Sequence, residues 1–250
     1  DRYLRARAYL RHPANNENLQ GAIDLFTAAV ELDPGFAEGY AGLCDAWLSK
    51  YALSLDPRHF EAAEKCCHRA LTLNAQDVDT YVALGHLYRH SGHFKQANLE
   101  YGKALSLNRH ATEASIGLAQ SYFQQGLFEQ ADELYRRAID LRPHDARGYL
   151  ALGDHFYNLG QAKKAIGHYK KSTELAADSE LAYNSLGAAY FMLGKFELAA
   201  ASWRQSLRIN PSPGAYVNIG SSMFHLGQYD EAVNWYSKAL ELSPENAAIW

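Results

Sequence analysis

A glycine recurs at a nearly constant interval through most of this chain. Gly92, Gly126, Gly160 and Gly194 stand 34 residues apart, and Gly227 follows 33 later. Ala97, Ala131, Ala165, Ala199 and Ala232 keep the same interval, as do Leu84, Leu118, Leu152, Leu186 and Ile219. A period of this size means one small unit copied along the chain, each copy burying its apolar face against its neighbours rather than in one shared core. For such a chain the informative question is what its surface holds.

Residues 78–111 show the unit in full. Tyr81, Leu84, Gly85 and Tyr88 fall at three- and four-residue spacing, which predicts one face of a first helix. Ser91-Gly92 predicts its end, because glycine takes the left-handed C-terminal conformation that a Cβ penalises. Phe94, Ala97, Tyr101, Ala104 and Leu105 then mark the inner face of a second helix. Gly85 and Ala97 predict close approach of the two backbones, with Tyr88 and Tyr101 filling the space around them. A turn follows, carrying proline in several copies: Pro34, Pro143, Pro211 and Pro244.

This pattern resembles the tetratricopeptide repeat in period, in helix–turn–helix form and in the order aromatic, Leu, Gly, Tyr, Ala, aromatic, Ala, Pro. Five consecutive copies carry it, over 78–111, 112–145, 146–179, 180–212 and 213–246. Two earlier units, 1–36 and 37–77, are looser. In 37–77 the connection between helices is seven residues too long and contains Asp56-Pro57, and in 1–36 a polar link of His12-Pro13-Ala14-Asn15-Asn16 intervenes. The resemblance spans essentially the whole chain and implies one array: an all-α solenoid of about seven helix-turn-helix units in a right-handed superhelix with a concave groove. The chain starts at Asp1 without methionine, and 247–250, ending at Trp250, read as the opening of a further repeat, so both ends are expected to be cut from a longer protein. A coiled coil is excluded by the glycine break in every helix pair, and an all-β fold by the lack of alternation.

Composition narrows the partner. Net charge is −4 and the pI about 6.3, which favours neither nucleic acid nor anionic lipid. No apolar run is long enough to span a bilayer. The three cysteines, Cys44, Cys66 and Cys67, are too few and too close for a secreted disulfide framework. They read as small buried thiols, which points weakly to a reducing, cytoplasmic setting and leaves a periplasmic one open. Cys44 and Cys67 approach each other inside their repeat, which a packed thiol pair explains, with a redox or metal role as the alternative.

The resemblance implies that first helices line the groove. Their outward face presents Glu38, Asp45, Asp79 and Glu113 in the N-terminal half, then Arg147 and Asp154, with His86 and Gln120 between. The C-terminal half is neutral, with Asn184 and Asn218 beside a flank of Phe123, Tyr157, Phe191 and Phe224. The expectation is a non-catalytic scaffold holding a peptide or partner helix, basic towards the acidic end. Asparagine suits a peptide backbone because its amide both donates and accepts. The competing account makes the acids a solvated surface and the aromatics packing between repeats. Some family members clamp chaperone C-terminal carboxylates with a lysine and an asparagine. Here Val82/His86, Ile116/Gln120 and Leu150/Asp154 hold those places, so that partner class is not expected.

His86, His90 and His93 have near-metal spacing, but His93 lies beyond the Gly92 turn and no thiol accompanies them. Arg2, Arg5, Arg7 and Arg11 do not share a face and read as a solvated helix. No phosphate loop or nucleophile elbow occurs, so neither cofactor nor catalysis is expected here. Tyr3-Leu4-Arg5-Ala6-Arg7, Asp33-Pro34-Gly35-Phe36-Ala37 and Tyr40-Ala41-Gly42-Leu43 also look like the start of repeat regions in bacterial protein kinases, nucleotide cyclases and winged-helix regulators. That implies an alternative role as the sensory or assembly arm of a larger signalling protein. Self-association through end repeats is a third expectation.

Overall fold

The structure is a computed structural model in which residues 2–11 and 15–243 are described. The expected links and ends at Asp1, His12-Pro13-Ala14, Pro244 and 247–250 lie outside the described residues. The chain is an all-α repeat solenoid with, among the described residues, no strand. Its helices are α1 (Arg2–Arg11), α2 (Asn16–Leu32), α3 (Ala37–Ser54), α4 (Pro57–Leu73), α5 (Val78–His90), α6 (Phe94–Leu107), α7 (Thr112–Gln124), α8 (Phe128–Leu141), α9 (Ala146–Asn158), α10 (Ala162–Leu175), α11 (Glu180–Met192), α12 (Phe196–Ile209), α13 (Pro213–His225) and α14 (Tyr229–Leu242). They gather into two compact units, Asp1–Leu134 and Tyr135–Trp250, with the boundary inside α8. In the first unit α1 packs on α3, α3 on α5 and α5 on α7, so the first helices of successive pairs form an inner row.

Each glycine turn does what its residue type requires. Gly92, Gly126, Gly160, Gly194 and Gly227 have φ between 69° and 79°, the left-handed region. Around Gly92 the His93 N–H donates to the Tyr88 carbonyl at 2.8 Å and the Gly92 N–H to Arg89 at 3.1 Å. The same two bonds recur at the other four turns, for example Gln161 to Phe156 at 2.8 Å and Gly160 to Tyr157 at 2.9 Å. These pairs satisfy the carbonyls that a helix end leaves open, so each hairpin closes with little loss.

The glycine inside the first helix has a different task from the expected one. It makes room for an aromatic ring rather than for a neighbouring backbone. A Cβ on Gly153 would lie 2.5 Å from the Tyr169 ring, one on Gly187 2.7 Å from Trp203, and one on Gly220 2.8 Å from Tyr236. In the first unit the fully buried Tyr101 ring fills the space beside both Gly85 and Gly117. In the third, fifth, sixth and seventh repeats an aromatic ring of the second helix is thus seated on a glycine of the first, and in the third it is flanked by the fully buried Ala97 and Ala104.

The second pair departs from the expectation in two ways. Its surplus residues extend the helices instead of the connection: α3 has 18 residues and α4 has 17, against 13 and 14 in α5 and α6. Only Leu55 and Asp56 join them, with Leu55 held at φ 53° and Asp56 capping α4 by accepting from the Arg58 N–H at 2.9 Å. Cys44 and Cys67 are also joined as a disulfide, not packed as thiols; Cys66 alone of the three is free.

Three helical glycines have no such duty. Gly102 in α6, Gly167 in α10 and Gly214 in the first turn of α13 face open space, where an added Cβ would have no neighbour within 4 Å; the first two lie in helix interiors. Gly102→Ala and Gly167→Ala should each stabilise the protein by about 0.5–1 kcal/mol by reducing backbone entropy lost on folding. A rise in the chemical denaturation midpoint would show this; a fall would contradict the open-space reading.

Candidate functional site

The inner row of the first unit carries a recess of about 420 Å³. Tyr3, Arg7 and Leu10 of α1 form one wall, since three- and four-residue spacing puts them on one helix face. Phe26 of α2 forms the floor beside Gly42, where a Cβ would meet its ring at 2.5 Å. Glu38, Ala41 and Asp45 of α3 and Asp79 of α5 complete it, with Asp77 just before α5. Four carboxylates thus face one guanidinium over an aromatic and aliphatic surface.

Asp45 shows the result of that imbalance. Its carboxyl is pushed up from 3.8 to about 7, by the protein crowded around it, then by repulsion from Asp79 and Asp77, with Arg7 pulling the other way. The mouth is open to water and Asp45 stays exposed by area, which softens the crowding; the like charges persist. The unfolded chain releases this proton near the ordinary value and the folded chain only near 7. Between those limits the folded state holds more protons, so stability from this group falls as pH rises. Asp45→Asn should therefore raise the melting midpoint at about pH 8 and flatten its decline from about pH 5. A variant with the parent's slope would sink this account.

Sequence placed Glu38, Asp45 and Asp79 together, and the structure does the same. Asp77 and the α1 wall escape the sequence reading, although the Tyr3, Arg7, Leu10 spacing carries a signal for the latter. Glu113 lies elsewhere, 3.6 Å from Nε2 of His86. The Tyr101 hydroxyl, pushed up to about 12 chiefly by burial, stays protonated and is hydrogen-bonded with Nδ1 of His86 at 2.8 Å. That leaves the other ring nitrogen turned to Glu113. Gln120 is half-buried, and the Phe123 ring packs on Phe128 at 5.1 Å. His93 bonds to Ser91 at 2.7 Å, away from His86, and among the described residues no three His, Cys, Asp or Glu side chains converge as a metal site.

In the second unit the same ring positions reach polar groups on the first helix. The Tyr169 hydroxyl donates to Asp154 at 2.7 Å, and Tyr236 lies 3.1 Å from the Ser221 hydroxyl. Burial raises the Asp154 carboxyl, while bonds from Tyr169 and Ser185 oppose it. Arg147 is held by its own helix cap, with Nη2 2.7 Å from Asp145. Asn184 and Asn218 are half-buried; the Asn184 carbonyl accepts from the Trp203 indole at 3.1 Å. Phe191 packs edge-on against Phe196 at 5.2 Å and His225 at 5.2 Å, and Tyr157, in the preceding first helix, is half-buried too. The Phe123 and Phe191 rings each meet the first ring of the following helix, Phe128 and Phe196, across a glycine turn. Phe224 is the exposed one, paired with Tyr229 at 5.4 Å.

Comparison with known proteins agrees with this geometry. Models of the tetratricopeptide repeat match residues 82–146, 116–180 and 181–213, and a further TPR repeat model matches 220–250. The chain belongs to the tetratricopeptide repeat family. Among solved structures it is similar to MamA, with 27% identity over 68% of this chain and 94% of that one, at a TM-score of 0.56. It is also similar to YrrB, described as a TPR protein with an unusual peptide-binding site, with 20% identity over 73% and 95% and a TM-score of 0.54. The Cut9–Hcn1 assembly of the APC/C covers 92% of this chain and 44% of its own, with 21% identity and a TM-score of 0.62. The last two share the fold and carry no more than that. A search of curated proteins by sequence finds no match.

As a TPR protein the chain is an interaction scaffold in general terms. Val82 and Ile116 are buried, whereas Leu150 is half-buried. No helix among the described residues is long and apolar enough to cross a membrane.

Proposed function

We propose that the first unit binds a basic, extended stretch of a partner polypeptide, with a lysine or arginine side chain entering the recess of Asp45, Asp79, Asp77 and Glu38. The observation that carries this reading is the recess itself, four carboxylates and one guanidinium around about 420 Å³ with Tyr3, Leu10 and Phe26 as its walls. An incoming cation relieves the repulsion that lifts Asp45, and its methylene stem lies along the apolar wall. Complementary charge also speeds encounter and selects against acidic partners. No catalytic role is assigned to this site.

Fluorescence anisotropy with two labelled peptides of equal length, one lysine-rich and one glutamate-rich, tests the reading. The lysine-rich peptide should bind more tightly and lose affinity as salt rises. Equal affinity for both peptides, at low salt, removes the acidic recess as the site.

A further inference from the structure

In the second repeat cysteines stand at both the glycine position and the ring position of the repeat unit. Aligning Ala63 with Ala97 and Ala70 with Ala104 puts Cys67 at the position of Tyr101. Aligning Leu43 with Leu84 puts Cys44 at the position of Gly85. A cysteine pair has less volume than a tyrosine over glycine, so less apolar side chain holds the two helices at this position. A covalent bond stands there instead. Cys44 and Cys67 are fully buried, their sulfurs are joined, and their Cα atoms are 5.0 Å apart, inside the normal disulfide span.

The same hairpin also lacks the glycine lock of the five pairs that follow it. Leu55, a residue with a Cβ, takes the left-handed position that glycine holds elsewhere, and the arms running to it are longer. Such a conformation costs free energy and persists only where surrounding structure enforces it.

We propose that the Cys44–Cys67 disulfide is a reversible staple that replaces the glycine–aromatic core of this repeat, so that thiol redox state sets how firmly α3 and α4 hold together. The chemistry is ordinary exchange with a small disulfide, RSSR. One cysteine thiolate attacks RSSR, forming a mixed disulfide and releasing one RSH after protonation. The second cysteine attacks the protein sulfur of that mixed disulfide and releases the second RSH. The two cysteines lose two electrons in total and RSSR gains them. Cys44 and Cys67 are fully buried, so exchange at them proceeds as α3 and α4 part; Cys66 stays outside the bonded pair, with burial pushing its thiol up to about 11. The staple is independent of the peptide reading, because none of its readouts needs a ligand.

The test treats the whole protein with glutathione disulfide or with dithiothreitol, then denatures and alkylates it with iodoacetamide for mass spectrometry. Of the three cysteines, one should be alkylated after glutathione disulfide and all three after dithiothreitol. The reduced protein should melt about 5–10 °C lower, and amides of α3 and α4 should exchange with deuterium faster than those of α5 and α6. Cys44→Ala should melt near the reduced parent and ignore dithiothreitol, while Cys66→Ser keeps the full shift. Three alkylated cysteines after glutathione disulfide, identical midpoints in both redox states, or loss of the shift in Cys66→Ser each overturns the proposal. The two-state comparison on the unmutated chain stands whether or not a variant folds.

Discussion

Tyr101→Ala is expected to cost about 3–5 kcal/mol of stability, the range for removing a large ring from a packed core. The ring is fully buried and rests against two glycines from successive first helices, Gly85 and Gly117. Removing it therefore opens a gap that touches three helices, α5, α6 and α7. Those helices have no side-chain carbon at the glycine positions with which to close it, so relaxation recovers little. Tyr101→Phe separates packing from bonding. It keeps the ring and loses only the hydroxyl's bond to His86 at 2.8 Å, which should cost about 0.5–1.5 kcal/mol. In a repeat array the damage is local, so the alanine variant should unfold in a broadened or split transition rather than one uniformly shifted step. Urea unfolding followed by circular dichroism checks both. An alanine variant within about 1 kcal/mol of the parent would mean the ring is not the keystone of its repeat.

The double variant Asp45→Lys with Asp79→Lys should reverse the peptide preference. Affinity for the lysine-rich peptide should drop about tenfold or more, equivalent to roughly 1.4 kcal/mol, and the glutamate-rich peptide should gain. Both side chains are exposed by area, so the folded chain tolerates the change without a buried unpaired charge. The parent should show a pH signature as well. Asp45 titrates near 7 when the recess is empty, and a bound cation favours its ionised form. Binding therefore releases protons near neutrality, and affinity should rise from about pH 6 to about pH 8. Titration in buffers of different ionisation enthalpy reads that release. A lysine-rich peptide that binds the double variant as well as the parent would place the site elsewhere on the protein.

Much of the architecture is legible in the residues themselves. The period, the glycine turns and the first residues of α3, α5, α7, α9, α11 and α13 all follow from local rules, because a left-handed turn and a helix face are properties of neighbouring residues. The disulfide is only half legible. Cys44 and Cys67 can be seen to occupy the glycine and aromatic positions, but bonding needs their Cα atoms 5.0 Å apart, which helix packing alone supplies. The surplus residues of the second repeat look like a loop, since Asp56-Pro57 is a turn signal; packing of Tyr51 against Phe60, with ring centres 5.6 Å apart, favours lengthening both helices instead.

The candidate site divides along the same line. Helical periodicity alone put Glu38, Asp45 and Asp79 on one side of their helices, and it established an all-α chain of paired helices with glycine at the turns of the last five pairs. Only the tertiary structure added Asp77 and the Tyr3, Arg7, Leu10 wall, sent Glu113 to His86, and set Phe123 and Phe191 against Phe128 and Phe196. The reason is physical: facing direction depends on residues three or four apart, whereas a recess, a raised carboxyl or a covalent staple depends on distances between separate helices.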